Sequence, residues 1–488
     1  MSNNIQRQKE LRREKNKAEK VKMKKRRKTV VICLFIAIVF IIGCVIFSVS
    51  MYKRTNKYKT GTVVMSSENY SIDLAMYSFF FTDGYYGFTS LQGDDLKQMG
   101  MYPDITKSLH SQYYFDGTWY DYFANSAKAH AKQTLILAEA AKKEGITLTD
   151  GELSALEKRA ESYDASKYGK GITKDDILRC LILEYTAVKY EYEKRDAEKL
   201  EGNDLSGYYE KYYKHFSSVS FRRYEVKYGE GSGGVTSIDA EKYANEIKTA
   251  KNSDEFTEKL TAVLKKINGN ISDEELKASL DSSFAENYAY SEGDIVTEWL
   301  FDSQRKLSDT YVYHNEFLHS YSVYLLTKLP EHTEEDTVTV RNILFSFDEY
   351  KTEDDAKKAA EDAKGELLEN NCDENVFKDL ALEKTGDLST RYLGGLYENR
   401  TVSELDEEVP GISGWCFDEQ RKAYDVEIIK SENGYDLVMF IEKGLPSHLA
   451  TVQKTVSGED FSELYLSYET TYKINEDEDA LSSYDPRR

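Results

Sequence analysis

The chain is poor in the residues that staple or metallate a fold, with five cysteines and seven histidines in 488 residues. Only Cys180, Cys372 and Cys416 lie beyond the first fifty positions, too few and of the wrong parity for a disulfide framework, so stability must come from packed cores. The histidines show no paired spacing and neither CxxC nor HExxH occurs, which leaves no case for a metal site; no cofactor is expected. Positive charge is also short: past residue 28 there are 52 Lys or Arg against 83 Asp or Glu, a balance of −31. Such a surface repels a phosphate backbone and argues against nucleic-acid partners.

What is present begins with a basic stretch. Residues 1–28 hold 13 Lys or Arg against three Glu, and residues 29–50, TVVICLFIAIVFIIGCVIFSVS, carry no charge. As a helix that run reaches about 33 Å, enough to cross a hydrocarbon core. The charge bias predicts a single-pass anchor over 29–51 in the cell membrane, with a cytoplasmic N-terminus and an extracytoplasmic body. The alternative is a cleaved export signal, since Ile41-Ile42-Gly43-Cys44 looks like a lipoprotein box and Ser48-Val49-Ser50 suits an ordinary signal peptidase.

With roughly 100–200 residues per domain, the length predicts two to four domains. Three tryptophans and five prolines make their recurrence informative. Trp299-Leu300-Phe301-Asp302 through Lys306 returns as Trp415-Cys416-Phe417-Asp418 through Lys422, and Leu329-Pro330-Glu331-His332 as Leu445-Pro446-Ser447-His448, both 116 residues on. Each copy opens with an extended segment (219–226 and 338–345), continues with charged helical stretches and closes with a strand-like run (321–327 and 435–441). The repeat unit is therefore a small α+β domain, 218–332 and again 336–448.

Residues 60–217 read as mostly helical. Thr149-Asp150-Gly151-Glu152 and Thr173-Lys174-Asp175-Asp176 have capping-box spacing. Trp119, Phe123, Leu135, Ala138 and Ala141 fit one face of a helix that Gly145 can end. A short strand is expected at 62–65, and Ser71 reads as the start of a helix through Met76 and Phe79. A helix is expected over 457–472, and the acidic tail 474–488 reads as disordered.

From Tyr113 to Val226 the wording resembles the N-terminal chaperone domain of SurA/PrsA-like foldases, carried by Ala140 through Asp150, Tyr168 through Thr173, and Leu205 through Tyr212. The second repeat resembles a parvulin-type (PpiC-like) peptidyl-prolyl isomerase domain through Asn342-Ile343-Leu344, Phe377 through Ala381, Gly394-Gly395, Phe417 and Gly434 through Val438; the first repeat is a degenerate relative of it. The fold class implied is a multidomain α+β chain: a transmembrane helix, an α-helical SurA-N-like domain that the helix 457–472 completes, and two parvulin-like domains in tandem. The family's two histidines are not matched, for Asn342 and Asp436 stand in their places, while Asp387 is an accepted occupant of a third position. In the first repeat Arg223 or a neighbour, and Ser322, take the histidine places.

An isomerase works against an amide barrier of about 18–20 kcal/mol and needs an apolar slot for proline and polar groups that favour the twisted amide. The resemblance implies Phe417 and Trp415 as proline contacts, Gly394 and Gly395 at the substrate edge, and Asp387, Asn342 and Asp436 as a polar floor. The plain alternative makes the aromatics core residues of a shared fold. Of the 38 tyrosines, clusters such as Tyr113-Tyr114-Phe115 suit recognition of unfolded segments. The function expected is a membrane-anchored folding factor for unfolded or exported polypeptides, with isomerase activity weak or lost. The alternatives are an active peptidyl-prolyl isomerase and a non-catalytic structural partner of a cell-envelope complex.

Overall fold

The computed structural model describes residues 60–91, 96–97, 101–230, 233–332, 334–482 and 484. The body opens with antiparallel strands β1 (Val63–Ser66) and β2 (Ser71–Asp73), then α1 (Leu74–Leu91), a hairpin of β3 (Tyr113–Tyr114) and β4 (Gly117–Thr118), and helices α2 (Trp119–Glu144), α3 (Asp150–Ser162), α4 (Lys174–Ala197) and α5 (Gly202–Tyr212). Thr118, Thr149 and Thr173 close capping boxes at the starts of α2, α3 and α4, and Gly145 ends α2 in the left-handed region at φ 78°. Ser71 is not the start of a helix: it pairs with Ser66, and α1 begins at Leu74, where the Asp73 carboxylate accepts from the Met76 amide at 3.0 Å. The core joins Phe79, Phe80 and Phe81 of α1 to Trp119, Phe123 and Leu135 of α2 and Ile177 and Leu181 of α4. Each such side chain contributes about 1.5–3 kcal/mol on burial.

The first repeat consists of β5 (Ser218–Lys227), α6 (Ser237–Lys248), α7 (Ser253–Ile267), α8 (Asp273–Asp281), β6 (Phe284–Ala289), α9 (Ile295–Leu300), β7 (Thr310–Asn315) and β8 (Ser320–Glu331), with strand order β6-β5-β8-β7. The second consists of β9 (Val338–Ser346), α10 (Glu353–Glu369), α11 (Glu374–Lys384), β10 (Leu396–Arg400), α12 (Val402–Glu408), α13 (Ser413–Cys416), β11 (Val426–Lys430) and β12 (Gly434–Lys443), in the equivalent order β10-β9-β12-β11. The registers agree as well: Arg223 faces Tyr324 where Asn342 faces Val438, and Glu225 faces Ser322 where Leu344 faces Asp436. Ser308 and Tyr424, both at left-handed φ (70° and 69°), donate from their amides to Leu326 at 2.8 Å and to Phe440 at 2.7 Å. One face of each sheet packs on helices: Ile343, Phe345 and Leu437 on Ala356, Ala360 and Phe377, and Val323 and Leu325 on Ala244, Phe256 and Leu260.

After the second repeat, α14 (Ser447–Thr471) returns to the body, starting ten residues earlier than its sequence suggests. Its Val452 and Val456 pack on Leu205, and its Phe461 on Leu137 and Tyr190. Residues past Lys473, expected to be disordered, form β13 (Asn475–Glu476), which pairs with β1, and α15 (Glu478–Ser482). Ala480, Leu481 and Tyr484 enter the body core, where the Tyr120 hydroxyl donates to the Tyr484 carbonyl at 2.6 Å. Acidic composition concealed those three apolar residues. Where the repeats leave the body, His332 and His448 stack with ring centroids 4.0 Å apart, and Tyr209 of α5 hydrogen-bonds His332.

The expected fold class needs correction. The architecture is mixed helix and strand with four small sheets, and a three-stranded sheet, β13-β1-β2, lies within the body expected to be helical. The anchor expected over 29–51 lies outside the described residues, and among the described residues no helix is long and apolar enough to cross a membrane. Even α1, with its run of phenylalanines, carries Asp83 and spends its apolar face on the body core. The single-pass architecture and the cell-membrane localisation drawn from it are therefore not supported by the described residues.

Candidate functional site

Strand alternation places Val340 and Asn342 of β9 on the same sheet face as Asp436 and Val438 of β12, away from α10 and α11. There the Asn342 amide donates to the Asp436 carboxylate at 2.8 Å, and each residue is only 1% exposed. Burial pushes the Asp436 carboxyl up; the Asn342 hydrogen bond and the nearby Ser431 hydroxyl oppose this, and the Asp387 charge adds to it. Its second oxygen and the Asn342 side-chain oxygen are buried without a hydrogen-bond partner.

Asp387 sits in the loop after α11 and is held from several sides. It accepts from the Ser389 amide at 2.9 Å, the Ser389 hydroxyl at 2.7 Å, the Tyr397 hydroxyl at 2.7 Å, and the Thr390 hydroxyl. Burial raises this carboxyl too, yet those donors outweigh it and hold it below the usual carboxylate range. Two carboxylates within electrostatic reach thus have their proton affinities driven apart, one toward the neutral acid and one toward the anion. The arrangement sets a buried carboxyl of raised proton affinity, Asp436, near one of lowered affinity, Asp387. It is closed to solvent at Asn342 and Asp436, so a peptide reaching them has to displace neighbouring side chains.

The glycine pair has a backbone explanation. Gly395 lies at φ 72°, and a Cβ there would stand 2.2 Å from the Asn342 carbonyl oxygen, while the Asn342 amide donates to the Gly395 carbonyl at 2.8 Å. Gly394, at φ 64°, would bring a Cβ to 2.7 Å from Lys378. Trp415 and Phe417 are half-buried against the cluster of Val340, Tyr397 and Val438, and the Arg421 guanidinium lies 4.6 Å above the Trp415 ring. Between them Cys416 is buried, which pushes its thiol up to about 12 and leaves it without nucleophilic character at neutral pH.

At the same places in the first repeat stand an exposed Arg223 and a half-buried Ser322, bordered by an aromatic group. Trp299 stacks on Tyr311 at 5.1 Å, and Phe221 meets Tyr324 at 5.8 Å and Tyr288 at 5.2 Å. Sequence reasoning did not single out Tyr397 or Thr385, although Tyr397 lies two residues after the glycine pair and faces Val340 in the sheet. Among the described residues no group of His, Cys, Asp and Glu is arranged to hold a metal.

No protein-family model matches the chain, and no curated protein matches it. Among solved structures it is similar to the 1.70 Å crystal structure of peptidylprolyl isomerase (PrsA) from Bacillus anthracis, at 14% identity and a TM-score of 0.19, with 59% of this chain and 100% of that chain covered. A likeness so distant carries no functional weight of its own.

Proposed function

We propose that the protein is a folding factor that holds unfolded polypeptide clients, with the second repeat a peptide-binding site of weak or absent prolyl isomerase activity. The observation that carries the client-binding reading is the β3–β4 hairpin. Tyr113 and Phe115 are 89% and 72% exposed at its tip, while Tyr114 between them stacks on Trp119 at 3.8 Å and anchors the hairpin to the body. Phe317, 90% exposed at the β7–β8 turn, supplies a further apolar contact on the first repeat. Large apolar side chains held out on an acidic frame suit transient capture of extended chains. Weak catalysis follows from the closure of Asn342 and Asp436, which leaves the twisted amide no preformed partner.

The test uses the full chain. It is expected to suppress aggregation of several unrelated unfolded proteins, and Tyr113→Ser with Phe115→Ser to lose most of that effect. Capture of one specific partner with no suppression of the others would overturn the reading in favour of a fixed structural component. Prolyl-peptide turnover, with Asp387→Ala as the control, is expected to match the uncatalysed rate; turnover above it that Asp387→Ala abolishes would establish the enzyme instead.

A further inference from the structure

The loop that carries Asp387 is as much a part of the body's surface as of the second repeat. Leu382 at the end of α11 lies in the body core, and Gly151 of α3 approaches Asp379 so closely that a Cβ would stand 2.2 Å from its carboxylate oxygen. Beyond α11 the Arg391 guanidinium donates to the Tyr163 hydroxyl at 2.9 Å, and the Tyr392 hydroxyl to Glu184 at 2.7 Å. Arg159 of α3, 6% exposed, donates to the Thr385 carbonyl at 2.8 Å and to the Glu383 carbonyl at 3.4 Å.

Thr385 is the hub. Its hydroxyl oxygen accepts from the Leu344 amide and from the Asp387 amide, each at 3.1 Å, so one fully buried side chain ties strand β9 to the Asp387 loop. The first repeat handles the equivalent stretch differently. Between α7 and β6 it inserts α8, and Arg222 of its own strand donates to the Leu280 carbonyl of that helix at 3.2 Å. In the second repeat the stretch from Lys384 to Leu396 is irregular apart from one short turn, Arg391–Leu393, and body residues from α3 and α4 lie against it.

We propose that Arg159 is a positioning residue for the Asn342, Asp387 and Asp436 site, so that docking of the second repeat on the body and peptide binding at that site form one linked equilibrium. This rests on the reading of the second repeat as a peptide site. By reciprocity, a peptide that favours the ordered loop tightens the docking, and undocking weakens the peptide. Asp436 reports the state of the loop, because the groups around it are Asn342, Ser431 and the loop's own Asp387.

The experiment compares full-length Arg159→Met with Lys158→Met, which breaks the neighbouring 2.9 Å ion pair to Glu383 without touching Thr385. Arg159→Met is expected to cut hydrogen-exchange protection of the Leu344 and Asp387 amides by at least ~10-fold, and Lys158→Met to leave it intact. Asp436, followed by carboxyl carbon NMR, is expected to titrate at least ~0.5 pH unit lower in Arg159→Met, as water enters and Asp387 moves off. A folded Arg159→Met with unchanged protection and unchanged titration overturns the proposal. Should that variant not fold, Arg159→Lys is read by the same two measurements, with intermediate losses supporting the proposal and full protection overturning it. Failure of the wild type to bind any prolyl peptide removes the peptide-site reading but not the two measurements on the loop.

Discussion

At one point of a shared lattice the first repeat displays Arg223 to solvent, and the second buries Asn342 against Asp436. Around that point the two are built alike. An arginine fixes the segment before the edge strand in both: half-buried Arg222 reaches the Leu280 carbonyl and the Ser283 hydroxyl at 3.2 Å each, and buried Arg341 the Leu393 and Gly394 carbonyls at 2.7 and 2.9 Å. A second arginine lies over the repeated tryptophan in both, Arg305 at 5.3 Å and Arg421 at 4.6 Å. The residues that fix the backbone make the module, and the strand-face residues between them are free to differ. The chemistry of each repeat is decided by the latter.

The sharpest way to stress this comparison is to exchange a frame residue. The carbonyls of Ser283 in the first repeat and Gly395 in the second both accept from the neighbouring strand, from the Arg223 amide at 2.6 Å and the Asn342 amide at 2.8 Å. Gly395→Ser is expected to destabilise the second repeat by about 3–5 kcal/mol, because the added Cβ meets backbone at a positive φ. Ser283→Gly should cost about 1 kcal/mol or less. Hydrogen exchange of the strand amides reads both, and equal costs would break the comparison. Next, Arg341→Met is expected to cost its repeat about 2–3 kcal/mol, since it takes the side-chain donor from the Leu393 and Gly394 carbonyls, and Arg222→Met about 1 kcal/mol, since the Leu280 carbonyl keeps the Ser283 hydroxyl. A loss in one repeat alone would show that the frames are not held in the same way.

The carboxylates separate the repeats by pH. Asp387 is held below its unfolded value, so its contribution is full above about pH 3.9 and is lost as pH falls through the lower folded value. At neutral pH Asp387→Ala should cost about 1–3 kcal/mol. Asp436 has the opposite sign: its folded value is raised, so stability falls as pH rises through it. Asp436→Asn is expected to stabilise the second repeat by about 1–2 kcal/mol at neutral pH, the gain vanishing in acid. Urea titrations of the two variants from acid to neutral pH measure this, and parallel slopes would refute the assigned charge states. The smallest effect lies at the junction. Burial, and then the neighbouring His332, depress the His448 imidazole, so the unfolded chain takes up protons first and stability declines as pH drops below about 6.5. His448→Gln should flatten that decline, by a fraction of a kcal/mol.

The repeats were legible because tryptophan and proline are scarce enough for Trp299 and Trp415, or Pro330 and Pro446, to be matched by eye. Asn342 and Asp436 were grouped by the resemblance, as occupants of the family's two histidine places. What stayed hidden depends on residues distant in the chain. Nothing near Thr385 announces that Arg159 will reach it, and nothing near Tyr392 names Glu184, because such pairs are chosen by docking rather than by spacing. The acidic tail misled for a related reason: composition averaged over 474–488 hides Ala480, Leu481 and Tyr484, which are individually buried. The apolar run at 29–50 lies outside the described residues, so the structure describes no membrane span there.

One feature of the body bears on how the protein is made. Its core is closed by segments from both ends of the described chain, with Met65 beside Glu476 in the first sheet and Tyr190 covered by Phe461. Both repeats lie between them. At a synthesis rate of about 5–20 residues per second, the interval between the emergence of Tyr190 and that of Phe461 is on the order of 15–60 s. For that time the nascent body presents uncovered apolar helices while each repeat, contiguous in the chain, can already be complete. The helix that carries Phe461 and the strand Asn475–Glu476 act as the latch of a body whose other half was made long before them.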